Sequence, residues 1–313
     1  MSVEVLAAAK VNLALHVLYT REDGYQELCT SMLALSLGDL VSAEARETPG
    51  VELSVGGEHS RGVPEDETNL VHRAASALLE GAETERGVTL RLEKCVPAGA
   101  GLGGGSADAA AALVATRAAL GLEEDDARDR EILASLGSDT VFFKDALSGH
   151  ALCKGRGEDV TPLDAVGDWA VLVLTPDLHV STAEVFKALV VERSTESEDD
   201  SVMGEALKMM RRKLTSFDLA GETAAKARFS LDNDLEGVAL RLYEELSAWR
   251  ESFDAVGLDH ARLTGSGSSF FAIFDSEEEA EEALQAVLAQ ASALPKPRLA
   301  CVTTPAHGVS KRL

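Results

Sequence analysis

The chain opens on an apolar stretch, Val3–Leu18, that is interrupted by two polar residues, Lys10 and Asn12. A run of this kind predicts a strand, and the turn-forming residues 21–25 predict its end. A lysine and an asparagine inside an otherwise apolar strand make both of them candidate functional residues. The same reading predicts further strands at Leu40–Ala45, Val51–Val55 and Val88–Lys94, and an amphipathic helix at Asn69–Leu79.

Downstream, the alanine-rich segment Ala107–Ala115 predicts a helix whose small side chains permit close packing. The acidic segment Glu192–Asp200 predicts an exposed loop. Other patterns predict strands at Trp169–Leu174, Ala261–Leu263 and Phe270–Phe274, and helices at Ser181–Lys187, Val202–Leu214, Leu235–Ser252 and Glu277–Ala291. We therefore expect an α+β protein.

The segment Gly99–Gly105 contains five glycines in seven positions and leads directly into the predicted alanine-rich helix. Glycine lets backbone N–H groups approach an anion closely, and a helix N-terminus adds a positive dipole end. The segment lacks the Gly-Lys-Ser/Thr ending of a Walker A loop and the spacing of a dinucleotide-binding fingerprint. We interpret it as a phosphate-binding loop, the alternative being a flexible turn before a helix.

Composition limits the partners of the protein. The 313 residues suffice for two lobes, and a net charge of −24, from 53 acidic and 29 basic residues, repels nucleic acids and anionic membranes. A bound nucleotide must therefore be held by local donors. Four separated cysteines argue against a zinc or disulfide framework. Neither a signal peptide nor a membrane span is visible in the sequence. Together with the separated cysteines, this leads us to expect a cytoplasmic protein.

The segment Pro97–Asp108 resembles the Pro-x-x-x-Gly-Leu-Gly-Gly-Gly-Ser-x-x-Ala signature of the GHMP kinases. Its triple glycine is most similar to the members that act in the methylerythritol phosphate pathway. Further matching segments occur in the family's order at residues 9–13, 23–25, 69–70, 155–158, 180–183, 233–236 and 264–268. The resemblance implies a two-lobed α+β fold with the active site in the cleft between an ATP-binding lobe, residues 1–165, and a second lobe, residues 166–313.

The resemblance also implies a catalytic pair. Asp139 matches the family's catalytic aspartate and is expected to act as general base, although Ser138 and Thr140 depart from the residues that usually flank it. Lys10 matches the lysine of the N-terminal motif and is expected to keep Asp139 ionised while stabilising charge on the attacking oxygen.

Two sets of binding residues are carried over from the same resemblance. The nucleotide set consists of Asn69, Lys94, Pro97, Gly99, Ala100, Gly101, Leu102, Gly103, Gly104, Gly105, Ser106 and Ala107. The acceptor set consists of Asn12, Tyr25, Gln26, Asp139, Thr182, Phe186, Gly265 and Ser266. Tyr25 and Phe186 are expected to stack on a cytosine, and Gln26 stands where the family usually has histidine. Mg²⁺ is expected with ATP; no carboxylate ligand is assigned, and Ser106 is one candidate.

The resemblance implies an enzyme that uses ATP to phosphorylate the 2-hydroxyl of 4-diphosphocytidyl-2-C-methyl-D-erythritol on the route to isoprenoid precursors, whereas the residues by themselves indicate a phosphate-binding α+β protein with an acid–base pair. One alternative is a GHMP kinase for another small alcohol, with Gln26 marking a changed pocket. The other is a nucleotide or metabolite sensor without turnover. We expect small-molecule partners, no nucleic acid or membrane partner, and a monomer or weak homodimer.

Overall fold

The computed structural model describes residues 2–82, 84–146, 148–196, 219, 221–306 and 309–312. Its first sheet is built on a long antiparallel hairpin of β1 (Ser2–Thr20) and β2 (Gln26–Arg46). The other strands of this sheet are β3 (Val51–Gly56), β4 (Gly87–Glu93), β5 (His150–Gly155), β6 (Asp159–Pro162), β8 (Asp232–Asn233) and β12 (Val309–Arg312). The strand order is β12-β1-β2-β4-β3, with β5 and β8 pairing β2 and β1, and β6 pairing β5.

A second, antiparallel sheet has the order β11-β7-β10-β9. Its strands are β7 (Ala170–Thr175), β9 (Arg262–Leu263), β10 (Phe270–Phe274) and β11 (Leu299–Thr303). The described helices are α1 (Leu70–Glu80), α2 (Gly104–Leu120), α3 (Asp126–Leu136), α4 (Thr140–Asp145), α5 (Thr182–Glu196), α6 (Ala224–Ala227), α7 (Glu236–Leu242), α8 (Glu244–Ala255) and α9 (Glu277–Gln290). Within these ranges, each helix is too short or too polar to cross a membrane.

The elements form four layers, with helices outside and two sheets between them. Helices α1 to α4 cover one face of the first sheet, and six alanines of α2, at positions 107, 109–112 and 115, are fully buried there. The other face packs through Ala9, Val11 and Leu13 against Val171 and Phe271 of the second sheet. Helices α5, α7, α8 and α9 close the far side. The mixed α+β fold expected from the sequence is confirmed, while the division at residue 165 remains a prediction.

The register of β1 changes near the middle of the strand, and this change places the two polar residues. Val5 and Ala7 pack in the helix-covered core, whereas Ala9 packs between the sheets. The switch coincides with an irregularity in the β1–β2 pairing between Ala8 and Lys10. Bulges of this kind re-aim side chains. Lys10 and Asn12 therefore lie on the face that carries α2, although both are buried in the strand.

Several boundaries differ from the expected ones. Strand β2 begins at Gln26, fourteen residues before the predicted strand, because it pairs along β1 over almost its whole length. The predicted helix Leu235–Ser252 is two helices, since Tyr243 adopts an extended backbone with φ −126° and ψ 100°. The predicted loop Glu192–Asp200 is wrong in its first part, because α5 continues to Glu196. The predicted helix Val202–Leu214 lies outside the described residues.

Candidate active site

A cleft of about 880 Å³ is lined by residues from both parts of the chain, among them Lys10 of the first sheet and Phe186 of α5. All eight residues predicted to bind the acceptor line this cleft: Asn12, Tyr25, Gln26, Asp139, Thr182, Phe186, Gly265 and Ser266. Of the predicted nucleotide set, Gly101 and Gly103 line it too. Segments that are far apart in the sequence are thus brought to one cavity of the size that small-molecule sites have.

Lys10 connects the glycine loop to the aspartate. Its ammonium lies 3.6 Å from Asp139 Oδ2 and donates hydrogen bonds to Asn12 Oδ1 at 2.6 Å and to the carbonyl oxygen of Gly101 at 2.8 Å. Burial lowers the pKa of Lys10 below its ordinary value of 10.5, and the Asp139 carboxylate partly offsets this effect. Asp139 precedes the first residue of α4 and is about a quarter exposed to the cleft. An accessible carboxylate beside a buried ammonium suits proton abstraction from a bound hydroxyl.

A hydrogen-bond network fixes the orientation of Asn12. Its Oδ1 accepts from Lys10, and its Nδ2 donates to Thr30 Oγ1 at 2.9 Å. Thr264 Oγ1 accepts from the backbone N–H of Asn12 at 3.1 Å and lies 3.1 Å from both Asn12 Oδ1 and the Gly101 carbonyl oxygen. Because both ends of the amide have protein partners, Asn12 is placed to hold Lys10 as well as to face the cleft.

The glycine loop ends at the N-terminus of α2. Gly103 occupies the N-cap position with φ +70°, and no side chain caps the helix there. The first N–H groups of a helix have no partner inside it, so an uncapped N-terminus is open to an anion. Around it, Gly99 and Gly105 are exposed and Ser106 is partly exposed, whereas Pro97, Ala100, Leu102, Gly104 and Ala107 are buried. The exposed members of the predicted nucleotide set therefore lie on one short segment.

The turn at residues 264–267, which contains Gly265 and Gly267, supports this loop from the opposite side. A Cβ atom on Gly101 would lie 2.2 Å from the carbonyl oxygen of Thr264, so the two backbones touch. Beside this contact, the hydroxyls of Thr182 and Ser266 are 2.8 Å apart. Asn233 Nδ2 donates to the carbonyl oxygens of Leu263 and Gly265 and holds the turn in place.

Two residues of the predicted nucleotide set have protein partners instead. Lys94 is fully buried, and its ammonium bonds Asp108 at 2.7 Å and, more closely, Asp39. Burial raises the pKa of Asp108 well above its ordinary value, with Lys94 acting in the opposite direction. Asn69 caps α1, accepting from Val71 N at 2.9 Å. Both residues support the nucleotide region from within, and a direct contact of either with ATP remains a prediction.

Tyr25, which also lines the cleft, is more than half exposed. The guanidinium of Arg156 lies over the Tyr25 ring, 5.1 Å from its centre. The Gln26 amide is held by Thr20, with Nε2 donating to the hydroxyl at 3.0 Å. Phe186, on α5, is partly buried in the core between the second sheet and its helices, and it also lines the cleft. Two aromatic rings that line one cavity can accept a flat heterocycle.

Sequence reasoning missed three residues that the structure places at the site. Thr264 and Arg156 lie inside segments that match the family, Thr264-Gly265-Ser266-Gly267-Ser268 and Gly155-Arg156-Gly157-Glu158, but received no role. Thr30 has no local signal, because it reaches Asn12 only through the pairing of β1 with β2.

The described side chains include one cluster of possible metal ligands, which lies outside the cleft. His16, Asp232 and Asp234 form a cluster that could hold an ion, but Asp234 already bonds Arg193 at 2.7 Å and Val17 N at 2.8 Å. None of these three lines the cleft. At the loop itself, the Ser106 hydroxyl has no hydrogen-bond partner within the described part of the chain. Its oxygen fits the preference of Mg²⁺ for oxygen ligands.

The sequence of this chain matches family models and relatives over most of its length. Residues 69–143 match the model of the GHMP kinases N terminal domain, and residues 210–293 match that of the GHMP kinases C terminal domain. The chain is 36% identical over 280 residues to the 4-diphosphocytidyl-2-C-methyl-D-erythritol kinase of Geobacter sp. (strain M21), which covers 90% of this chain and 92% of the relative. It is 36% identical over 303 residues to the kinase of the same name from Acaryochloris marina, covering 95% and 94%.

Solved structures agree with these relatives. A crystal structure of 4-(cytidine 5'-diphospho)-2C-methyl-D-erythritol kinase is 34% identical, with a TM-score of 0.70 and coverage of 97% of this chain and 100% of that one. The homoserine kinase of Cytophaga hutchinsonii superposes with a TM-score of 0.74 at 20% identity, covering 99% and 97%. The second likeness supports the fold alone.

Proposed function

Because the chain belongs to the GHMP kinases, and among them to the 4-diphosphocytidyl-2-C-methyl-D-erythritol kinases, we propose that it phosphorylates the 2-hydroxyl of that cytidyl alcohol with ATP. The product would be the 2-phosphate and ADP, on the route to isoprenoid precursors. The observation that carries the proposal is the position of Lys10. One ammonium bonds the glycine loop at Gly101 and pairs with Asp139, so the phosphate cradle and the candidate base meet at one point.

In this mechanism Asp139 accepts the proton of the acceptor hydroxyl as its oxygen attacks the γ-phosphorus of ATP. A new O–P bond forms, the bond between the γ-phosphorus and the bridging oxygen breaks, and ADP leaves. Lys10 stabilises the charge that develops on the attacking oxygen and on the transferred group. The N-terminus of α2 holds the phosphates through its free N–H groups. Tyr25 and Phe186 hold the cytosine, and Thr182 and Ser266 contact the remainder of the acceptor.

ATP is the cosubstrate of this family, and we propose that it is used as its Mg²⁺ complex. The ion would neutralise phosphate charge, with Ser106 as its protein ligand and with phosphate and water oxygens supplying the rest. We also propose a monomer or weak homodimer in the cytoplasm. All four cysteines carry thiols, which suits a reducing compartment. Sedimentation and cell fractionation would test these two points.

The test is ADP release by the purified protein with Mg-ATP and 4-diphosphocytidyl-2-C-methyl-D-erythritol, with mevalonate, homoserine and galactose as other acceptors. We expect turnover with the cytidyl alcohol alone. Asp139→Asn should lower kcat by about 10²–10⁴-fold while ATP still binds. Asp254→Asn, on α8, removes the same charge at an exposed position and serves as the control. Turnover confined to another acceptor would contradict the substrate assignment, and ATP binding without any transfer would favour the sensor.

A further inference from the structure

The turn between β5 and β6 has a fixed shape that presents one side chain. Gly155 and Gly157 adopt φ values of +73° and +130°, which favour glycine. The Glu158 carboxylate accepts a hydrogen bond from the backbone N–H of Arg156 at 2.6 Å. A Cβ on Gly155 would lie 3.0 Å from that carboxylate, so the turn closes tightly around it. The one long side chain projecting from this glycine pair is Arg156.

This turn contacts two residues that line the cleft, Asp139 and Tyr25. Gly157 lies against the aspartate, since a Cβ there would be 3.2 Å from both Asp139 Oδ1 and the carbonyl oxygen of Ser138. Its neighbour Arg156 lies over the ring of Tyr25. Arg156 therefore stands between the residue that would take the reacting hydroxyl and the residue that would take the base.

Few positively charged side chains line the cleft, and Arg156 is one of them. A protein with a net charge of −24 needs local cations to hold an anionic acceptor. Lys10, Arg156 and Lys187 are the lysines and arginines among the described residues that line the cleft. Lys10 is already bound to Asp139, Asn12 and Gly101. Arg156 pairs with Glu158 only through Nε, at 3.5 Å. Within the described residues no hydrogen bond engages its two terminal nitrogens.

We propose that Arg156 binds the diphosphate of the cytidyl acceptor and keeps Tyr25 ordered for the cytosine. The inference rests on the proposed function, because the covalent order of that acceptor is base, ribose, diphosphate and alcohol. With the base at Tyr25 and the hydroxyl at Asp139, the diphosphate passes the side chain that lies between them. A guanidinium suits both tasks, since it stacks on an aromatic face and donates two parallel hydrogen bonds to phosphate oxygens.

Four variants test the proposal in the full-length protein, and one of them, Lys187→Gln, removes the other cation of the cleft that is not bound to Asp139. Arg156→Gln removes the charge, and Arg156→Lys keeps the charge without the planar fork. Arg91→Gln removes a charge from an exposed position on β4 and controls for net charge. Each is assayed at saturating ATP, with cytidine, CMP and CDP as competitors of the cytidyl acceptor.

We expect Arg156→Gln to raise the KM for the cytidyl acceptor about tenfold, with little change in the KM for ATP. A tenfold change corresponds to the weaker of the charge-assisted hydrogen bonds. The preference of the enzyme for CDP over cytidine should fall by a similar factor, whereas Arg91→Gln keeps it and Arg156→Lys keeps part of it. A merely structural role would weaken cytidine and CDP equally.

Three results would overturn the inference. An unchanged preference for CDP in Arg156→Gln, with wild-type turnover intact, would refute the role of Arg156 and leave the proposed function standing. A loss of that preference in Lys187→Gln instead would assign the diphosphate to Lys187. If the wild-type protein turns over only another acceptor, the proposed function fails and the inference fails with it.

Discussion

Gly103 is the residue at which the contact between the phosphate loop and the catalytic lysine can be tested most directly. Its φ of +70° is unfavourable for alanine by about 1–2 kcal/mol. A Cβ there would also lie 2.8 Å from Lys10 Cγ and 2.9 Å from Phe143 Cζ. Forcing a methyl group into packed surroundings costs about 1–3 kcal/mol. Gly103→Ala should therefore lower the free energy of unfolding by about 2–5 kcal/mol, the sum of the two effects.

The other end of the same helix offers a matched control. Gly121 follows α2 with φ +65°, and a Cβ there would meet no heavy atom within 4 Å. Gly121→Ala should lose only the backbone part, about 1–2 kcal/mol. The difference between the two variants in urea denaturation then measures the contact with Lys10 and Phe143 alone.

Activity separates the two variants further. The added methyl group would displace Lys10 from Asp139 and from the Gly101 carbonyl oxygen, and a misplacement of about 1 Å can lower a rate by about 100-fold. We expect a fall in kcat of that order for Gly103→Ala, measured by ADP release at saturating substrates, and near wild-type kcat for Gly121→Ala. Equal losses of stability, together with a kcat for Gly103→Ala within twofold of wild type, would refute the reasoning.

Three further predictions concern the surroundings of the site. Lys94→Met leaves two buried carboxylates without a countercharge and should destabilise the protein by about 3–5 kcal/mol in urea, whereas the exposed Lys226→Met should change little. Thr264→Val should lower kcat by about tenfold through the lost hydrogen bonds, and Thr264→Ser should restore it, while Thr116→Val, whose buried hydroxyl has no hydrogen-bond partner among the described residues, should be neutral. Burial lowers the pKa of His260 from 6.5 to about 4, so stability present above pH 6.5 is lost as the pH falls towards 4, and His260→Gln should flatten that part of the pH profile of the urea midpoint.

The parts of the site that were predictable from sequence are those specified by local composition. Five glycines before an alanine-rich segment specify a close backbone approach followed by a tightly packed helix, and both are present at Gly99–Gly105 and α2. Lys10 and Asn12 stood out because a buried strand tolerates polar groups only where they have partners. The structure supplies those partners in Asp139, Gly101 and Thr30.

What could not be predicted depends on partners that are distant in sequence. Tyr243 divides a continuous helical pattern because its hydroxyl accepts from the backbone N–H of Ser181 and donates to Glu184 at the start of α5. No periodicity in residues 235–252 contains that information. The start of strand β2 was predicted too far along the chain for a similar reason. Its first half is strand because β1 and β5 pair with it on either side, and not because its own residues alternate.

The buried Lys94 explains how so acidic a chain can keep an anion site at α2. At physiological ionic strength, exposed charges beyond about 8 Å are largely screened, so the groups under the helix decide the local potential. Asp39 and Asp108 lie there, and Asp39 also accepts from the backbone N–H groups of Cys95 and Val96, which lead into the loop. Two carboxylates below a helix N-terminus would oppose phosphate binding above it. Lys94 lies between them, with Nζ 3.3 Å from the position of a Cβ on Gly104, and cancels part of that charge. We infer that the charge of Lys94 favours ATP binding at this helix N-terminus, which accounts for its place in the nucleotide region; its direct contact with the nucleotide stays a prediction.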